Sequence, residues 1–103
     1  MDTESDEIFV NIFSLPFPIT ALRRTDEGNV TPLRSIGGVN TRLFEIEGLF
    51  VDKENDEIFV ANGADRITVY RRTDEGDVTP LRTIEGPNTK LAIPWGIFVA
   101  ESP

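Results

Sequence analysis

Carboxylates are the groups of this chain most able to do chemistry: it holds 18 Asp and Glu against 10 Lys and Arg. Two clusters stand out, Asp52-Lys53-Glu54-Asn55-Asp56-Glu57 and Asp74-Glu75-Gly76-Asp77. Oxygen-rich runs suggest calcium, but a calcium loop needs oxygens spaced to converge on one centre, as in Asp-x-Asp-x-Asp-Gly with a distant Glu. Neither run has that spacing. Both read as solvated hairpin turns, so no metal site and no cofactor is expected. Nucleophilic catalysis is equally unsupported: Ser5, Ser14, Ser35 and Ser102 lack a Gly-x-Ser-x-Gly elbow, and there is no His to activate them and no Cys. Paired-carboxylate chemistry stays open, because carboxylates abound. No catalytic residue is assigned, and the chain reads as a non-enzyme. The doubled arginines Arg23-Arg24 and Arg71-Arg72 each precede Thr-Asp-Glu-Gly and read as exposed cross-strand salt links.

The elements that carry these groups are written twice. Asp6-Glu7-Ile8-Phe9-Val10 returns as Asp56-Glu57-Ile58-Phe59-Val60, and Arg23-Arg24-Thr25-Asp26-Glu27-Gly28 returns as Arg71-Arg72-Thr73-Asp74-Glu75-Gly76. Helical three-four spacing is missing, while Gly and Pro recur between short β-rich runs. In the second copy these runs are 48–52, 57–61, 66–71 and 80–85, joined by turns at 52–56, 62–65 and 73–77. Asn and Asp supply turn acceptors, and Gly63 is expected to take a positive φ in the second turn. Four strands joined by three hairpins make an antiparallel meander. Apolarity falls from the first of these strands to the fourth, which reads as a radial gradient from the centre of a ring to its rim.

Bulk composition narrows the partners. The 103 residues suit one small domain, and 39% hydrophobic with 27% charged is ordinary for a folded chain. A net charge of −8 argues against nucleic acid and against an anionic membrane. No signal peptide or transmembrane segment is expected, because the acidic start lacks a basic region and no apolar run is long enough. The compartment is left unassigned.

The run Pro94-Trp95-Gly96-Ile97-Phe98-Val99, with Asn55-Asp56-Glu57-Ile58-Phe59-Val60-Ala61-Asn62 and Ile67-Thr68-Val69-Tyr70, resembles the repeats of NHL-type and YncE or lactonase-like β-propellers. The resemblance implies an all-β chain of two four-stranded blades, circularly offset. Residues 1–46 would hold strands two to four of one blade with its connection. Residues 47–94 would be a second blade with its connection, and 95–103 a first strand completing a blade of a neighbouring chain. Homo-oligomers would then close a ring, with a six-bladed homotrimer preferred over four or eight blades.

Three functions are expected in turn. The leading one is a self-assembling propeller module, with Ile8, Phe9, Val10, Ile97, Phe98 and Val99 at the oligomer interface. The alternative is a lectin-like propeller binding a small ligand or carbohydrate through Asn62, Asp65, Arg66, Asn88, Lys90 and Trp95. A fragment of a lactonase-like hydrolase is a third, weakened by the missing His. The loop from Asn11 to Pro18, more apolar than its counterpart, reads either as a contact surface or as local packing.

Overall fold

The computed structural model describes residues 6–12, 18–63, 65–92, 94 and 96–100. Strands β1 (Glu7–Asn11), β2 (Ile19–Arg23) and β3 (Arg34–Ile36) form one antiparallel sheet. Strands β4 (Ile46–Asp52), β5 (Glu57–Asn62), β6 (Arg66–Arg71) and β7 (Arg82–Glu85) form the other, in the order of the chain. Two single-turn 3-10 helices, Val39–Thr41 and Pro87–Thr89, come after β3 and β7. The expected runs 57–61 and 66–71 correspond closely to β5 and β6. The last strand starts at Arg82 rather than Pro80: Pro80 has no N–H to give the ladder, and Leu81 makes only a lead-in bond, its N–H donating to the Val69 carbonyl at 2.7 Å.

The repeat governs local contacts to the level of single bonds. Arg34 Nη2 reaches Glu7 Oε1 at 2.6 Å, and its counterpart Arg82 Nη2 reaches Glu57 Oε1 at 2.9 Å. Each of those guanidinium carbons also lies 5.9 Å from a ring centroid, Phe9 for Arg34 and Phe59 for Arg82. Asp26 and Asp74 each accept a 2.9 Å bond from the backbone N–H three residues earlier, at Arg23 and Arg71. That is the turn chemistry anticipated for Asp.

Side chains alternate across a strand, so register fixes which residues share a face. In the second sheet Leu49 stands opposite Val60 and Val51 opposite Ile58, while Ile58 faces Tyr70 across the next ladder. In the first sheet Phe9 stands opposite Ala21, and Ile19 opposite Ile36. The core joins these two faces: Ile19, Ile36, Ile46, Ile58, Val60 and Tyr70 are buried together, with Phe9, Leu43, Leu49 and Val78 packed against them. The sheets are also tied at an edge. Gly37 N–H donates to the Gly76 carbonyl at 3.1 Å, and Gly76 N–H donates to the Ser35 carbonyl at 2.7 Å.

This architecture corrects the propeller reading. The described residues make two small antiparallel sheets, of three and four strands, with no closed or curled sheet; a six-bladed ring needs about 24 strands. The NHL-type resemblance, the self-assembling ring and homotrimeric six-bladed closure, and with them the lectin-like propeller and the lactonase-like fragment, are therefore set aside. A repeat of short runs and turns encodes hairpins, which two stacked sheets satisfy as well as a ring does. The fall in apolarity needs no ring either. β7 is an edge strand with mostly exposed residues, whereas β5 is internal and mostly buried.

Three local expectations also change. Gly63 does not take a positive φ; Asp65 does, at 63°. Gly63 is closely packed instead: a Cβ there would stand 3.0 Å from Glu45 Cβ, a tight approach that Glu45 would have to yield to. Asp52 is buried rather than solvated, at 4% exposure, and its Oδ2 accepts from Asn55 Nδ2 at 2.8 Å. Arg72 is likewise buried, whereas its counterpart Arg24 is exposed.

Candidate functional site

The residues expected to contact a small ligand sit at one end of the four-stranded sheet, around the β5–β6 turn and the 3-10 helix after β7. Asn62 is fully buried and fully used there. Its Oδ1 accepts from Phe44 N–H at 2.8 Å, and its Nδ2 donates to Thr68 Oγ1 at 3.0 Å and to the Val60 carbonyl at 3.3 Å. Arg66 donates to Glu85 Oε1 at 3.3 Å and to the Arg42 carbonyl at 3.1 Å. Asn88 and Lys90 are exposed, and Asp65 occupies the left-handed turn position. Arg42 and then Arg66, by their hydrogen bonds to Glu85, hold its carboxyl below the usual range. These groups brace the join between β6, β7 and the Arg42 segment. Trp95 and the loop 13–17 lie outside the described residues, as do Ser5, Ser14 and Ser102.

No group of three or more His, Cys, Asp or Glu able to hold a metal occurs among the described residues. None of their helices is long and apolar enough to cross a membrane.

The feature that asks for an occupant is the outer edge of β1. Arg24 N–H donates to the Asp6 carbonyl, and Ile12 N–H to the Pro18 carbonyl. Antiparallel ladders alternate, so Ile8 and Val10 also turn their backbone groups to β2. The N–H and C=O groups of Glu7, Phe9 and Asn11 then point the other way, where no strand pairs with them among the described residues. In the second sheet the corresponding residues Glu57, Phe59 and Ala61 are opposite Asp52, Phe50 and Gly48 of β4. Among the described residues, one sheet has a strand on this edge and the other has none.

Side chains reinforce the contrast. Ile8 is 41% exposed and Val10 36%, while their counterparts Ile58 and Val60 are both at 0%. A cleft of about 230 Å³ flanks the open edge, lined by Glu7 and Phe9 on one side and by Leu49, Val51 and Lys53 on the other. Arg72 closes its floor, donating to Asp56 Oδ1 at 2.7 Å and to Glu7 Oε1 at 3.1 Å. The hydrogen bond that Arg72 donates to Asp56, and then the Asp56 charge, hold the guanidinium above its ordinary value against the cost of burial. Glu7, taking bonds from both Arg34 and Arg72, locks β1 to both sheets and keeps its edge in place.

Of the residues expected at an oligomer interface, Ile8, Phe9 and Val10 are thus gathered on β1. Ile97, Phe98 and Val99 lie elsewhere, in a segment outside any strand. Phe98 is 78% exposed and touches the Phe50 ring, with centroids 4.8 Å apart. Sequence alone singles out these residues but carries no sign that Glu7 joins the two sheets, because Arg72 and Glu7 are 65 positions apart and in different copies. Compared with protein-family models, curated proteins and solved structures, the chain has no match.

Proposed function

We propose that the chain is a non-enzymatic binding module that takes an extended peptide strand along the outer edge of β1. One observation carries this reading. The Glu-Ile-Phe-Val motif occurs twice, and the copy in β5 carries a neighbouring strand on the edge that, among the described residues, the copy in β1 leaves open. Strand addition to such an edge draws affinity from main-chain hydrogen bonds, and selectivity from the pockets that receive alternate side chains. Here Glu7, Phe9 and Asn11 supply the main-chain groups, and Ile8 and Val10 an exposed apolar surface on one face. An unprotected edge of this kind is otherwise an aggregation hazard, which chains blunt with charge, bulges or a cover. A net charge of −8 supplies the first of these.

The test is a selection of short random peptides on the immobilised protein, repeated on Asn11→Pro. Proline removes an outward N–H without breaking a β1–β2 bond, a position where edge strands tolerate it. The expected result is extended, apolar-alternating peptides that bind the parent and are lost on Asn11→Pro. Peptides that bind both proteins equally would overturn the reading.

A further inference from the structure

Resting on the strand-accepting edge just proposed, we infer that its occupant is residues 96–100 of a second copy of this chain. The route into β4 occurs twice in the molecule. After β3 the backbone passes Gly38, makes the 3-10 turn Val39–Thr41, enters the left-handed region at Arg42 and crosses to the other sheet as its first strand. After β7 the same route begins again, through Gly86, the 3-10 turn Pro87–Thr89 and a left-handed Lys90. Arg42 has φ 64° and ψ 17°, and Lys90 has φ 63° and ψ 21°. The hydroxyl bonds repeat as well: Thr41 and Thr89 each donate at 2.6 Å to the carbonyl three residues earlier, Gly38 and Gly86.

Beyond Lys90 the sequence holds a counterpart of β4. Gly96-Ile97-Phe98-Val99 stands 48 residues after Gly48-Leu49-Phe50-Val51. The chain thus has a lead-in and a strand-competent segment after its second sheet, and the described residues form no third sheet to receive them. They do form one sheet, the first, whose receiving edge is open. Within a single molecule Phe98 rests on Phe50, while β1 pairs with β2 alone among the described strands. Phe50 lies on the opposite face of β4 from Leu49 and Val51, which look toward the core. A second molecule supplies the strand that the open edge of the first would receive.

The β4–β5 ladder dictates the register. Leu49 opposite Val60, Phe50 opposite Phe59 and Val51 opposite Ile58 translate into Ile97 opposite Val10, Phe98 opposite Phe9 and Val99 opposite Ile8. Phe98 and Phe9 fall at a hydrogen-bonded pair, because the outward groups of β1 are those of Glu7, Phe9 and Asn11. Ile97 and Val10 fall at a non-hydrogen-bonded pair, where side chains approach most closely and a disulfide can form. Charge opposes the encounter, since each copy carries −8, so association is to be measured at physiological salt, where screening acts beyond about 8 Å.

The native chain has no Cys, so any disulfide reports an introduced pair. Val10→Cys and Ile97→Cys are made as separate proteins, mixed and oxidised. The expected product is a covalent dimer of one of each. It should form poorly when Ile8→Cys replaces Val10→Cys, because Ile8 and Ile97 would sit diagonally at about 7–8 Å. A synthetic peptide of residues 94–100 should compete it away, and adding Phe98→Asp to the Ile97→Cys protein should abolish it. Equal cross-linking of Val10→Cys and Ile8→Cys overturns the register and the inference. No mixed dimer, with selected peptides still binding parent and not Asn11→Pro, overturns the second copy as occupant and leaves the open edge standing. No mixed dimer and no edge-dependent peptide overturns both.

Discussion

Ile8 and Val10 in the first sheet and Ile58 and Val60 in the second have the same neighbours in sequence, yet the first pair is exposed and the second fully buried. The reverse holds for the ring between them: Phe9 packs against the core, whereas Phe59 lies on the face that looks away from it. The sheets therefore stack in the same sense, one presenting to the interface the face that the other turns outward. Such an arrangement buries two different faces and leaves two different faces over. Strand sequence sets what a face is made of; the neighbour decides whether it is core or surface. The interface is heterologous, and heterologous contacts can in principle repeat.

Mutations at matched positions measure the contrast directly. Arg72 and Arg24 make the same kind of ion pair, but the Arg72 side chain is 7% exposed and that of Arg24 62%. Arg72→Met leaves Glu7 facing the sheet junction with one cation fewer and should cost about 3–5 kcal/mol in urea unfolding. Arg24→Met should leave the unfolding midpoint where it is. Ile58→Ala should cost about 2–5 kcal/mol through the cavity it opens. Ile8→Ala should change monomer stability little and instead weaken association at high protein concentration.

Tyr70 adds a pH dependence to the contrast. It is fully buried, and its hydroxyl donates to the Thr41 carbonyl at 2.6 Å and lies 2.8 Å from Thr68 Oγ1. Burial pushes its pKa up to about 12, against a smaller opposing effect of the Thr68 bond. An unfolded Tyr ionises near about 10, so the folded state holds the proton that the unfolded state loses. Stability should be intact below about pH 10 and fall by up to roughly 3 kcal/mol as pH rises toward 12. Tyr70→Phe should lose that alkaline slope, and the half-buried counterpart of Tyr70 in the first sheet, Leu22, has nothing to titrate. The smallest effect is a glycine comparison. Gly38 and Gly86 both have positive φ, 133° and 116°, so alanine is strained at each. Only at Gly38 would its Cβ strike a side chain, the carboxylate of Asp77 that receives Asn40 N–H at 2.8 Å. Gly38→Ala should therefore be worse than Gly86→Ala by about 1–2 kcal/mol in thermal unfolding.

Local structure was legible because turns and strands are written in short-range chemistry. Asp26 and Asp74 cap turns wherever they stand, and the run 66–71 matches β6 to the residue. The number and closure of sheets was not legible, since hairpin sequences carry no count of their neighbours. Gly63 shows a second kind of gap: it lies close against Glu45, a contact that no turn rule foresees. Burial of Arg72 was hidden for the same reason, because its partner Glu7 comes from the other copy. For the candidate site, the residues Ile8, Phe9 and Val10 were readable as a β-strand, but which of its backbone groups lie open required the ladder to β2.

Amide hydrogen exchange at single-residue resolution tests the account most directly, by comparing Phe9 with Phe59. Phe59 lies between two strands and should exchange slowly at every protein concentration. Phe9 should exchange fast in dilute protein and slow down as concentration rises, together with Glu7 and Asn11, and should stay fast in Phe98→Asp. Phe9 amides that remain fast at high concentration would contradict strand addition at this edge.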